Sequence, residues 1–168
     1  MSQICQNKLI IATLAVFCYS LFMNKLKELE KIAKEIENCK ICKVGKSGKA
    51  VPGEGNPDAD IVFLGKAPGK QEAIVGRPFI GRSGKLLRSL IVDAGLKEED
   101  VYITSPVKYL PDRGMPTSED ISHGRTHLVK QLDIIKPKII VLLGRVAAEG
   151  VLGDPTSPRL RGASQRLY

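Results

Sequence analysis

The sequence is poor in cysteine and in acidic residues. It has 4 cysteines among 168 residues, and only Cys39 and Cys42 lie close together, so it is not a disulfide-stapled mini-protein. It has no internal repeat, no low-complexity segment and no G-x-x-x-x-G-K-S/T loop, which excludes a Walker-type nucleotide site. Asp and Glu number 18 against 26 Lys and Arg, giving a net charge of +8. That excess favours a polyanionic partner.

The composition is that of an ordinary globular protein, with 43% hydrophobic and 26% charged residues. These proportions exclude a disordered or fibrous chain. A length of 168 residues is enough for one domain with a proper core and too little for two.

The longest apolar run extends from Leu9 to Met23, which is short of the roughly 20 residues that a membrane-spanning helix needs. The run resembles the apolar part of a signal peptide, but no cleavage site follows it. It is a membrane anchor or signal, a helix packed on the domain, or a non-native extension. We favour the extension, and therefore predict an extra segment over 1–22, a domain over 23–168 and a cytoplasmic protein. An anchor over 9–23 would make it membrane-associated.

Hydrophobic patterns predict alternating strands and helices along the domain. Helices are expected over 24–38, 86–94, 118–135 and 145–152, and buried strands over 60–65, 101–104 and 138–144. This alternation indicates an α/β fold, a three-layer α/β/α sandwich with a central, mostly parallel sheet. In such sheets, ligands bind at the carboxyl ends of the strands. The segments that follow these ends are the loops 65–82 and 104–116 and the segment after 144.

The loop after the first strand is the richest in glycine. Phe79 is its only aromatic residue and could stack on a base, and Glu72 is its only acid. Its basic residues suit phosphate groups: they are Lys66, Lys70, Arg77 and Arg82. The alternative is a surface loop over the sheet edge, with Phe79 as its hydrophobic anchor.

Two consecutive motifs in this loop resemble the family 4 uracil-DNA glycosylases. They are Gly65-x-Ala-Pro-Gly-x-x-Glu72 and Gly76-Arg-Pro-Phe-Ile-Gly-Arg-Ser-Gly84. The resemblance covers about residues 23–162 and includes four further segments in the family's order: Cys39-x-x-Cys42, 101–108, 136–144 and 159–162. It implies the glycosylase-type α/β/α sandwich and the hydrolysis of the N-glycosidic bond of flipped-out uracil in base excision repair. The implied partner is DNA containing uracil, and we expect a monomer.

The resemblance also implies a role for individual residues. Phe79 would stack on the flipped uracil, the backbone of Lys66 and Ala67 would lie against the base, and Ser105 would read its edge. Glu72 would be the catalytic carboxylate near the sugar. The phosphate contacts would be Arg77, Arg82 and Lys108.

The sequence departs from the family pattern in its catalytic positions. Lys66 stands where the family has glutamate, and Ser105 stands where it usually has asparagine, which pairs with uracil as both donor and acceptor. The chain ends at Tyr168, before any counterpart of the family's His-Pro-Ser segment, so we expect the C-terminal strand of the sheet to be missing. These departures favour an alternative, an impaired or truncated relative that binds DNA without cleaving it.

A metal centre is also implied, because family members hold a 4Fe–4S cluster on four cysteines. Cys39 and Cys42 match the first pair, but the third position is Tyr109 and the fourth is His123 or its neighbour. At most three ligands remain, so a partial cluster is one possibility. A zinc ion on the two cysteines with His123 and His127, one helical turn apart, is another. The third is no metal, with both histidines on the solvent side of a helix.

Overall fold

A computed structural model describes the backbone of residues 3–153 and the side chains of residues 18–153. The segment 159–162, which carries part of the resemblance, lies outside these residues, as does the side chain of Cys5. The helices are α1 (Gln3–Asn38), α2 (Lys40–Lys43), α3 (Lys70–Val75), α4 (Arg82–Asp93), α5 (Ser118–Ile135) and α6 (Arg145–Leu152). The strands are β1 (Lys46–Ser47), β2 (Glu54–Gly55), β3 (Ile61–Leu64), β4 (Val101–Thr104), β5 (Leu110–Pro111) and β6 (Ile139–Leu142).

The central sheet has the strand order β2-β4-β3-β6. Strand β3 is parallel to both of its neighbours, β4 and β6, whereas β2 is antiparallel to β4. Strands β1 and β5 form a separate antiparallel pair. Within residues 3–153, β6 has one strand neighbour. The mostly parallel sheet predicted from the alternating pattern is therefore confirmed.

Helices cover both faces of this sheet. Val62 and Leu64 of β3 pack in one apolar cluster with residues of α1, α5 and α6. Phe63, which points to the opposite face because side chains alternate along a strand, packs with Leu87 and Ile91 of α4. The two clusters confirm the three-layer α/β/α arrangement.

The first helix is longer than its predicted counterpart at 24–38. Helix α1 is continuous for 36 residues, so the apolar run and the amphipathic segment belong to one element. Its C-terminal half packs on the domain through Leu29, Ile32 and Ile36, each at most 7% exposed. The division of the chain at residue 22 stays a prediction. Within the described residues, no helix is both long and apolar enough to cross a bilayer.

Helices α5 and α6 and strand β4 have the predicted bounds, because local signals mark their ends. Thr117 and Asp120 form a reciprocal capping box at the start of α5, and Lys136 ends the helix in the left-handed region at φ 56°, directly before a proline. Helix α4 begins one turn earlier than predicted. Helix α3 lies within the segment expected to be a loop, since six residues after a glycine carry little periodic pattern.

Candidate functional site

A cleft of about 660 Å³ lies beyond the carboxyl ends of β3 and β4. The loop that follows β3 forms most of its wall, and Ser105, directly after β4, closes one side. This is the position at which parallel sheets bind ligands. The predicted site residues that line the cleft are Lys66, Ala67, Glu72, Phe79, Arg82 and Ser105.

Phe79 is held in this cleft in an uncommon backbone conformation. Its φ of 52° lies in the left-handed region, which residues with a side chain other than Asn and Asp rarely adopt. The ring of Phe79 lies against Gly65, and a Cβ atom at position 65 would be only 2.4 Å from its Cζ. The carbonyl group of Phe79 also lies close to Gly84, where a Cβ atom would be 2.0 Å away from it. The Nε of Arg88 donates a 3.2 Å hydrogen bond to the same carbonyl. These contacts hold the ring against the end of β3.

Glu72 stabilises the segment on both sides of Phe79. Its carboxylate accepts backbone hydrogen bonds from Gly69 at 3.1 Å, Ile80 at 2.9 Å and Gly81 at 2.7 Å, and the residue is 8% exposed. Burial opposes ionisation, but these N–H donors outweigh it and hold the pKa of Glu72 below its ordinary value. A carboxylate with three amide donors is a weak base with few free lone pairs.

Lys66 and Ser105 both line the cleft. Lys66 is exposed, and its Nζ donates to the carbonyl of Gly114 at 3.1 Å, while Met115 Sδ lies 3.4 Å away. The hydroxyl of Ser105 is buried and donates to the carbonyl of Val107 at 2.8 Å. Both side chains thus brace the loop that follows β4.

The basic residues of the loop separate into two groups. Lys70 and Arg82 are exposed on the wall of the cleft. Arg77 instead forms a two-point ion pair with Glu54, with N–O distances of 2.7 and 3.1 Å. Arg88 contacts the same carboxylate at 2.5 Å. The guanidinium of Arg77 is therefore already engaged by protein.

The structure places Lys108 inside the protein, where it does not suit the phosphate contact expected from the sequence. It is 2% exposed, and its Nζ donates to Pro52 O at 3.0 Å, Thr104 Oγ1 at 2.7 Å and Gln131 Oε1 at 2.7 Å. Burial lowers the pKa of Lys108 to about 7, although these acceptors favour the charged form. The side chain joins β4 to α5 and the segment before β2.

A second group of residues with ligand chemistry lies where α1 and α2 meet α5. Cys39, Cys42, His123 and His127 each place one ligand atom within 4.8 Å of the others. Cys39 Sγ is 3.1 Å from His123 Nε2 and accepts a hydrogen bond from the backbone N–H of Cys42 at 3.5 Å. The predicted metal-binding residues Cys39, Cys42 and His123 are thus brought together, and His127 joins them.

The donor set does not match a 4Fe–4S cluster. Such a cluster binds four cysteine thiolates, and Tyr109 stands where the family has its third cysteine. Tyr109 is buried, and its hydroxyl donates to the carbonyls of Ile36 and Glu37 at 3.3 and 3.4 Å. The expectation that both histidines face solvent is wrong, because His127 is 8% exposed.

Some residues that shape the site were not identified from the sequence. Arg88 holds the Phe79 carbonyl and joins Glu54 to Glu98, yet its position on α4 is unremarkable in the sequence. Gln131 is fully buried, and its Nε2 donates to Pro52 O at 3.0 Å. Only the buried face of α5 could have pointed to it.

Comparison with known proteins identifies relatives for most of the domain. The profile of the Uracil DNA glycosylase superfamily matches residues 52–166. The chain is 48% identical over 100 residues to the type-4 uracil-DNA glycosylase of Archaeoglobus fulgidus, covering 59% of this chain and 50% of that protein. It is 46% identical over 120 residues to the Sulfurisphaera tokodaii enzyme of the same name, covering 70% and 54% respectively. The chain thus spans about half the length of these relatives.

Proposed function

The chain belongs to the uracil DNA glycosylase superfamily, and on this premise we propose that it removes uracil from DNA by hydrolysing the N-glycosidic bond. In this reaction the bond between C1′ and the base breaks, the hydroxyl of a water molecule adds to C1′, and the remaining proton goes to uracil. The cleft beside Phe79 would hold the flipped nucleotide. The type-4 relatives carry this activity in their names.

The observation that carries the proposal is the fixed ring of Phe79 at the wall of an open cleft. A rigid aromatic face offers stacking worth about 1–3 kcal/mol per base, and Phe79 is rigid because Gly65, Gly84 and Arg88 surround it. Ala67 and Ser105 line the same cleft and would contact the edge of the stacked base. Such a pocket favours a base that has left the duplex.

Charge in the cleft supports both DNA binding and departure of the base. Lys66, Lys70 and Arg82 line it, and Glu72 is the one acidic residue among its described lining residues. Three cationic side chains outnumber this one carboxylate, so the cleft is net basic. A positive environment attracts phosphates and stabilises the negative charge that develops on the departing uracil.

We assign Glu72 a positioning role in place of the catalytic one expected from the sequence. Its oxygens accept the N–H groups of Ile80 and Gly81, directly after Phe79. It therefore sets the path of the stacking residue. Attack by water would then depend on the electrostatics of the cleft rather than on a free carboxylate from this residue.

The lack of a free carboxylate at Glu72 favours a second candidate function, DNA binding without cleavage. Lys66 occupies the family's glutamate position, and the carboxylate of Glu72 is already occupied by amide donors. A protein of this kind would still recognise extrahelical uracil through Phe79. The two functions differ only in whether the glycosidic bond breaks.

One assay separates these functions. The full chain is incubated in excess over an oligonucleotide with a single uracil, and abasic sites are revealed by alkaline cleavage. A matched oligonucleotide with thymine at that position is the control. We expect cleavage at uracil only. Tight, uracil-dependent binding without abasic product would establish the second function instead.

A further inference from the structure

We propose that Cys39, Cys42, His123 and His127 form a closed tetrahedral site for a single zinc-class ion, in place of the iron–sulfur cluster implied by the family resemblance. This inference is independent of the proposed function. It concerns the junction of α1 and α2 with α5, which lies apart from the cleft beside Phe79.

The spacing of the ligand atoms fits one ion. A tetrahedral ion with bonds of about 2.0–2.3 Å holds its ligand atoms roughly 3.3–3.8 Å apart. All four ligand atoms already lie within 4.8 Å of one another, and one pair is 3.1 Å apart. A cluster of four irons needs a wider ring of ligands, because each iron takes its own cysteine at a separate corner. Two sulfur and two imidazole donors are a typical zinc set.

His127 supplies an independent reason to place an ion here. Both of its ring nitrogens are buried and have no hydrogen-bond partner among the described residues. An unpaired buried polar group is costly, and native proteins rarely leave one unexplained. Coordination of a cation would satisfy one of these nitrogens. His127 is not among the residues that line the cleft beside Phe79.

The same helix supplies both histidines. His123 and His127 are four residues apart on α5 and therefore share a face. Tyr109 cannot serve as a ligand while its hydroxyl donates to the end of α1. His127 thus provides a fourth donor in a set that Tyr109 would otherwise leave incomplete.

Four protein ligands leave no open position for water or substrate, which is characteristic of structural zinc sites. The ion would tie the end of α1 to α5, two elements also joined by the ion pair between Glu35 and Lys130 at 2.6 Å. Its expected effect is on folding stability. Removing the ion should lower the unfolding temperature without a direct effect on the uracil cleft.

Metal content provides the first test. The full chain is stripped with a chelator and reconstituted in two anaerobic arms, one with Zn²⁺ and one with Fe²⁺ and sulfide. We expect one zinc per chain in the first arm and no stable iron–sulfur chromophore in the second. Four irons with matching sulfide would overturn the proposal, as would the failure to retain zinc.

Cobalt substitution tests the ligand identities. The Co²⁺ protein should show the intense visible bands of a tetrahedral site together with thiolate charge-transfer absorption. His127→Ala should lose retained metal, whereas His127→Cys should keep one ion and intensify the thiolate bands. Cys18→Ser, which changes an exposed cysteine elsewhere on α1, is the control. Unchanged spectra in both His127 variants would contradict the assignment.

Discussion

The ring of Phe79 lies so close to Gly65 that a Cβ at position 65 would stand 2.4 Å from its Cζ atom. Gly65 ends the apolar run of β3, so the central sheet itself determines where the ring lies. Arg88 and Glu72 fix the backbone around the same residue. The proposed stacking surface is therefore a property of the fold rather than of a mobile loop.

Gly65→Ala should displace the Phe79 ring. We expect an overpacking cost of about 1–3 kcal/mol in the free energy of unfolding and a loss of uracil excision larger than the loss of affinity for undamaged DNA. Urea unfolding and single-turnover excision measure the two effects. In a Phe79→Ala background the same substitution should cost little, because the clash is gone. Equal costs in both backgrounds would contradict this contact.

Glu72→Gln should destabilise the fold by about 1–3 kcal/mol, because an amide NH₂ would face backbone donors that now bind a carboxylate. The pKa of Glu72 is lowered in the folded protein, so its stabilising effect is present above the ordinary value of 4.5 and is lost as the pH falls below it. The variant should lack this loss. Urea titrations from neutral to acidic pH measure the difference.

Glu99→Gln is the matched control for that experiment, since Glu99 is 76% exposed. We expect it to change the free energy of unfolding by less than about 0.5 kcal/mol. An equal effect of both substitutions would show that the amide contacts of Glu72 contribute nothing specific.

Local signals were sufficient to predict much of the fold, while the site depended on contacts between distant residues. Strand β4 and helix α5 were predicted with correct bounds because apolar periodicity and capping residues lie within the elements themselves. Helix α3 was missed because it is short and begins after a glycine. The partners of Glu72 include N–H groups eight and nine residues further on, which no local pattern reveals.

Lys108 shows the limit of reasoning from residue type. The family resemblance implied a phosphate contact at Lys108, and lysine is usually exposed. Its three acceptors come from positions 4, 23 and 56 residues away. The four metal-binding candidates were easier to find, because their chemistry and short spacings are visible in the sequence, although the burial of His127 is not.

The salt dependence of DNA binding should distinguish Arg82 from Lys108. Arg82 is exposed on the cleft wall, so Arg82→Gln should weaken binding and reduce the slope of log affinity against log salt by about 1. Lys108→Met should leave the slope unchanged. Lys97→Gln, at an exposed position outside the cleft, is the charge-matched control. Fluorescence anisotropy over a salt series provides the measurement.

The buried ammonium of Lys108 should also make stability depend on pH. Its pKa falls from 10.5 to about 7 on folding, so between these values the unfolded chain binds the proton more strongly. Stability from this residue therefore rises with pH across that window. The difference in free energy of unfolding between the protein and Lys108→Met should follow this rise. A difference that is flat with pH would contradict the assignment.

The most direct test of the proposed cleft is the single-turnover rate of uracil excision by Phe79→Ala. Because stacking is worth about 1–3 kcal/mol, we expect the rate to fall roughly 5- to 150-fold. Leu90→Ala, which removes an apolar side chain that is 54% exposed on α4, should excise uracil at the rate of the unchanged protein. Equal rates for Phe79→Ala and Leu90→Ala would show that uracil is not bound against Phe79.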